Sequence, residues 1–323
     1  MGSLKQSSLS TGPADSPSGC RPGFDLSFAG MFSRPLQAFA ALMTLLVICF
    51  GKPLFDWARY AAGSDLFSYV LLVPFVSLYL VWPKRAGLRW TRAADRTWGV
   101  VALCAGLAIM LGYWCAPHFG LVPGPSDRVT WTIFGFYISF IGVCLLCFAS
   151  EILRDLAFPI GFLVFIVPFP YWFTDWITSF LQQASAVAAH LFFALSGMPV
   201  FKQDLVFQLP GMRLEVAPEC SGIHSTLVLF ITSVLAAQFF LRSTWSRAAL
   251  ALAVIPLGIL RNGIRIWTIG ELCVHIGPEM INSPIHRRGG PLFFVAALIP
   301  LFLLLYYLRK LESKKDGVQA VKA

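Results

Sequence analysis

Charge is what this sequence has least of. Asp, Glu, Lys and Arg make up 13% of its 323 residues, against roughly 25% in a soluble domain. That deficit excludes an ordinary water-soluble globule. Acidic residues are the scarcer sign, 16 against 25 Lys and Arg, which leaves a net charge of +9. Much of the basic excess lies in short loops and near the C-terminus, where it reads as membrane topology and not as a nucleic-acid surface. A regular cysteine framework is lacking too. Cys49, Cys104, Cys144, Cys147 and Cys273 fall in or near apolar runs, so neither a disulfide scaffold nor a zinc site is expected. No metal and no cofactor enter the reading. There is no internal repeat and no Gly-x-Ser-x-Gly elbow for a serine hydrolase. The N-terminus has no basic segment running straight into an apolar core with a cleavage site. Gln6 stands where an N-myristoylation signal has Ser or Thr.

Apolar residues are present in abundance: 57% of the chain, with 29 Phe and 10 Trp. They gather in runs near the length that a bilayer requires, about 17–25 residues. The expected fold is an all-α integral membrane protein with about eight transmembrane helices. The runs cover about 36–51, 66–82, 98–116, 129–149, 158–172, 222–241, 248–267 and 291–308. Lys84, Arg85, Arg89, Arg92 and Arg96 follow the second run and assign that loop to the cytoplasm. Glu151, Arg154 and Asp155, then Arg242 and Arg247, mark further cytoplasmic turns. Both termini are then inside, on a multi-pass protein of the cytoplasmic (inner) membrane. Four regions follow: a disordered tail at 1–35, a four-helix membrane region at 36–157, a core at 158–308 and a basic cytoplasmic tail at 309–323.

Two stretches do not read as spans. Residues 173–197 look helical, yet Gln182, Gln183, Ser185 and His190 interrupt the apolar pattern. The stretch is expected to be an external amphipathic or re-entrant helix. Residues 201–216 alternate: Phe201, Leu205, Phe207 and Leu209 share one parity, and Met212, Leu214 and Val216 the other. Pro210-Gly211 between them predicts a short external β-hairpin.

That hairpin delivers the chain to Ala-Pro-Glu-Cys-Ser-Gly-Ile-His-Ser at 217–225. A polar, reactive cluster at the mouth of a span is costly unless it faces protein or water, and so reads as functional. With a helix starting near Ser221, Cys220 and His224 would share a face one turn apart, the layout of a nucleophilic cysteine beside a base. The plainer alternative is a helix start that happens to contain Cys, with Ser221 as cap. The loop charges bring two more polar groups to the same outer side. Arg261, Asn262 and Arg265 lie near the outer end of the seventh run, and His286, Arg287 and Arg288 precede the eighth. Arg265 sits between Ile264 and Ile266, where an unpaired charge is costly; snorkelling to the interface is the alternative. These residue types allow acyl transfer. Cys220 would attack a carbonyl as thiolate, His286 would supply acid–base function, and Arg265 would stabilise the oxyanion. Arg261, Asn262, Arg287, Arg288 and His224 are expected to bind substrate.

The order Glu-Cys-Ser-Gly-Ile, then Asn-Gly-Ile-Arg-Ile, then His286 ahead of Gly290 resembles the exosortase/archaeosortase family. The likeness covers roughly 168–307, including the Leu181-Gln182 helix. The family's members are polytopic cysteine transpeptidases, and the resemblance maps its nucleophile to Cys220, its essential arginine to Arg265 and its histidine to His286. Pro291 stands here where an aromatic often follows the last motif's glycine. The resemblance implies partners that are exported proteins with a C-terminal sorting signal: a Pro-Glu-Pro-like motif, an apolar helix and a basic tail. The rival expectation is a non-enzymatic envelope transport or assembly protein with an external anion site. A serine protease using Ser221 or Ser225 is a third.

Overall fold

The computed structural model describes residues 34–64, 66–85, 96–120, 124–283 and 289–322. Proline and glycine decide where its helices break. α1 (Arg34–Cys49) and α2 (Gly51–Ala62) form a pair bent by 71°. Pro53 cannot donate to residue 49 and its ring would meet that carbonyl, so the helix stops and restarts at Gly51. After the short apolar helix Ser68–Lys84, containing α3 (Val73–Val81), come α4 (Arg96–Cys115) and α5 (Pro125–Cys147). These two pack through small residues, as membrane helices do. A Cβ added to Gly142 would fall 2.6 Å from the Leu103 nitrogen, and one on Gly106 would collide with the Gly135 carbonyl. Cys144 and Cys147 have the Cys-x-x-Cys spacing, and both are buried free thiols inside α5.

α6 (Ser150–Asp155) and α7 (Ala157–Phe162) lead to α8 (Tyr171–Leu195). The apolar helix Ala157–Ile166 meets α8 at 89°, with Pro168 and Pro170 in the break. α9 (Ile223–Phe240), α10 (Thr244–His275) and α11 (Gly290–Lys322) complete the chain. Among the described residues, five helices are long and apolar enough to cross a membrane: Arg96–Phe119, Pro125–Cys147, Pro218–Phe240, Thr244–His275 and Gly290–Lys314. The number rises to seven if each bent pair is one span. The eight expected spans are therefore not all continuous crossings. The run at 66–82 forms the shorter helix, and those at 36–51 and 158–172 form single arms of the bent pairs. Large apolar side chains such as Ile48, Phe75 and Ile299 point outward, which suits a surface in lipid. The protein is a multi-pass, mostly helical membrane protein.

Two boundaries differ from the sequence expectation. The α11 helix runs past 308 to Lys322, so the stretch expected as a basic tail is helical for nearly its whole length. Both carboxylate oxygens of Glu312 accept backbone N–H bonds of 3.0 Å, from Arg242 and Ser243, and so tie α11 to the turn before α10. In α8 two of the four polar interruptions do not face solvent, while Gln183 is exposed and His190 half-buried. Gln182 and Ser185 are buried together with Leu181, Ala186, Ala189 and Phe193.

The sheet is an antiparallel meander of β1 (Phe201–Gln203), β2 (Val206–Leu209) and β3 (Met212–Glu215). β2 and β3 pair across Pro210–Gly211, with Phe207 opposite Leu214 and Leu209 opposite Met212. Gly211 supplies the positive φ of that turn, 80°. β1 is a strand that the alternation did not show. Phe207, Leu209, Leu214 and Val216 form an apolar face buried against Ala186, Ala189 and Phe193 of α8 and Ile266 of α10. The Phe193 and Phe207 rings lie 5.5 Å apart. α10 accepts its neighbours at glycines: Gly258 lies under Thr226 of α9, Gly263 under Ala188 and Gly270 under Phe193. The sheet is thus fixed to α8 and α10, and its last strand feeds the cysteine loop.

Candidate active site

Between β3 and α9 the chain makes a tight loop. Pro218–Cys220 is one 3-10 turn, closed by a 2.8 Å bond from the Cys220 N–H to the Ala217 carbonyl. Gly222 then turns the chain with φ 78°, and α9 starts at Ile223. The helix begins two residues later than expected, so Cys220 precedes it and does not share a helical face with His224. His224 is exposed. Ser221 is buried, and its Oγ accepts a long 3.4 Å bond from the Ile223 N–H. The residue in the left-handed cap position is Gly222.

Three side chains from outside the loop hold its backbone. Gln182 Nε2 of α8 donates to the Val216 carbonyl. Asn262 Nδ2 of α10 donates to the carbonyl of Cys220 itself, at 2.7 Å. Arg261 Nη2 donates to the Gly222 carbonyl at 3.3 Å. Loop carbonyls in an apolar setting need such partners. Asn262 is 1% exposed and Arg261 7%, so these are interior supports. Gln182 escaped the sequence reading as a support, because an amide in an apolar helix looked like an interruption. Its place between Leu181 and the small residues Ala184 to Ala186 was the available signal.

Cys220 and Arg265 line the same small cavity, about 30 Å³, together with Leu214, Val216, Asn262 and Ile266. Both residues are half-buried. Arg265 and Glu219 act electrostatically on Cys220. Asn262 Oδ1 is buried and has no hydrogen-bond partner among the described residues. The cavity therefore brings Cys220, Arg265 and Asn262 together, with Glu215 and apolar side chains completing its walls. His286, Arg287 and Arg288 lie outside the described residues. The residues that flank them, Ser283 and Gly289, are buried, and Ile281 packs on the same apolar cluster as Cys220. Among the described residues no group of three His, Cys, Asp or Glu side chains is placed to hold a metal ion.

Gly222 gives the loop its first test. A Cβ there would lie 2.6 Å from Arg261 Nη2 and 3.0 Å from the Asn262 side chain. It would also be held at a φ that costs an L-residue roughly 1–2 kcal/mol. Gly222→Ala is expected to lower activity per inserted molecule at least about tenfold. Gly211→Ala, at nearly the same φ but with nothing within 4 Å, carries the strain alone and should stay near wild type. Equal effects of the two variants would show that the loop does not need these contacts.

The fold and the cavity define a multi-pass membrane protein with a cysteine loop clamped by its neighbouring helices. Over residues 57–303 the chain matches the family described as Transmembrane exosortase, and it belongs to that family. No curated protein and no solved structure matches it.

Proposed function

We propose that the protein is a membrane cysteine protease/transpeptidase that cleaves C-terminal sorting signals of exported proteins at the outer face of the cytoplasmic membrane. The observation that carries this reading is the shared cavity of Cys220 and Arg265, with the loop backbone fixed by Gln182, Arg261 and Asn262. The Cys220 thiolate attacks the scissile carbonyl. Arg265 donates to the oxyanion of the tetrahedral intermediate. Collapse breaks the C–N bond, His286 gives a proton to the leaving amine, and a thioester remains on Cys220. Water, an amine or a lipid head group then takes the acyl group and releases the thiol. Ile281, five positions before His286 in the sequence, packs on the apolar cluster that includes Cys220.

The substrate's tail would carry a Pro-Glu-Pro-like motif outside, an apolar helix in the bilayer and a basic end inside. That geometry sets the scissile bond level with Cys220, and Arg287 and Arg288 are suited to the motif's glutamate. Membership of the exosortase family supports a sorting role. An exported reporter with such a tail should be shortened in cells that make the protein, and a reporter without the motif should not be. Failure to shorten any tripartite tail would overturn the reading. Sidedness has its own test. Trp90→Cys and Met280→Cys should react with impermeant thiol reagents from opposite sides of the membrane; labelling from one side would remove the outward-facing site.

A further inference from the structure

β3 is an edge strand. The sheet runs β1-β2-β3, and among the described residues no further strand pairs with β3. The register fixes where its backbone groups point. Leu209 lies opposite Met212 and Phe207 opposite Leu214, and the Val216 N–H donates to the Leu205 carbonyl at 3.0 Å. In an antiparallel ladder such bonded pairs alternate with non-bonded ones. Met212, Leu214 and Val216 therefore direct their N–H and C=O groups to β2. Those of Arg213 and Glu215 point the other way, and among the described residues no backbone group bonds to them there. Both residues are exposed. Unpaired edges recruit other strands, and proteins commonly cover them. This edge leads to the site instead. Leu214, Glu215 and Val216 line the cavity that contains Cys220 and Arg265, whereas no residue of β1, the opposite edge, does.

The chemistry of the edge selects its occupant. It presents N–H donors and C=O acceptors in alternation, repeating every second residue, about 7 Å apart. An extended polypeptide repeats its own acceptors and donors at that interval. An acyl chain has neither, and a compact solute meets one residue at most. The position beside a nucleophile narrows the occupant to the chain that is cut. We propose that the free edge of β3 binds the polypeptide substrate as a fourth, extended strand and so carries its scissile carbonyl to the Cys220 cavity. Backbone bonds of this kind give affinity and leave the side chains, alternating across the sheet, to give specificity. That the bound chain is a substrate rests on the catalytic reading above; that an extended chain binds the edge does not.

Binding would be read on the full chain in detergent, as Cys220→Ala so that no cleavage intervenes. The probe is a fluorescent synthetic tail with a Pro-Glu-Pro-like motif and its apolar helix. N-methylation of one residue at a time between motif and helix removes one N–H and crowds any partner strand. Affinity should fall at least about tenfold at every second residue and hold within about twofold at those between. On the protein side, Arg213→Pro removes an N–H from the free edge, where a strand tolerates proline. It should bind the tail at least about fivefold more weakly than Arg213→Gln, which loses the charge and keeps the N–H. Lys202 lies opposite Phe207, whose groups face β3, so its own point out from the free edge of β1. Lys202→Pro should bind the tail as the parent does. Uniform tolerance of N-methylation, or equal binding by Arg213→Pro and Arg213→Gln, would overturn the edge site. So would a dimer of the full chain that Arg213→Pro dissolves while tail binding is unchanged, since the edge would then pair two copies. Alternating sensitivity in a tail that the wild type binds and never cleaves would uphold the site and fault the catalytic reading instead.

Discussion

Cys220→Ala is expected to abolish processing while the protein still inserts and accumulates. Removal of a nucleophile costs far more than removal of any group that assists it, and a loss of at least about a thousandfold is expected. The fold should tolerate the change. Cys220 is half-buried at the edge of an apolar cluster, its backbone is held by bonds that Ala can also make, and the stability cost should be about 1 kcal/mol. Cys220→Ser should be nearly as inactive, because a hydroxyl is far less ionised than a thiol. The measurement is shortening of the tail-bearing reporter per unit of inserted protein. Normal shortening by either variant would assign the nucleophile to another residue, with Ser221 and Ser225 next in line.

Arg265→Lys should lose about a hundredfold or more in rate, with folding unchanged. Guanidinium presents several donors in a fixed fork, whereas Lys brings a point charge on a flexible stem. If Arg265 stabilises the developing oxyanion, loss of aimed donors costs on the order of 3 kcal/mol. If it only snorkels, Lys serves as well, since it also reaches the interface. Arg261→Lys is the internal comparison. The bond seen for Arg261 runs from a single Nη2 to one carbonyl, and an ammonium can make such a bond. Its loss should stay within about tenfold. Near wild-type cleavage by Arg265→Lys would move the catalytic arginine elsewhere, with Arg261 the next candidate.

What could be read from the sequence follows the strength of each local signal. Long apolar runs without prolines, such as those of α4 and α5, gave their helices directly. The turn at Pro210–Gly211 was legible because alternation changes parity there. The bends at Gly51 and at Pro168–Pro170 were not, because composition measures apolar length and not direction. The runs at 36–51 and 158–172 therefore looked like complete crossings, whereas each forms one arm of a bent pair. Gln182 and Ser185 misled for a related reason. Polar residues in an apolar helix mark a wet face in most helices, but here both are buried, and Gln182 donates to a loop carbonyl. The start of α9 was misplaced by two residues because Ser221 looks like a cap, while Gly222, in the left-handed region, takes that position. Arg265 and Asn262 were identified from chemistry: a cation and an amide among isoleucines require partners. Their convergence on Cys220 needed α10 to lie against the loop, and that contact depends on glycines whose packing role no period reveals.

The most direct measurement is a trapped acyl-enzyme. A tagged sorting-tail substrate would be incubated with the full-length protein in detergent, with amines withheld, then quenched in acid and digested. The account predicts one adduct, on the peptide containing Cys220, released by neutral hydroxylamine as a thioester should be, and absent from Cys220→Ala. An adduct on any other residue, or full processing of the tail by Cys220→Ala, would contradict it.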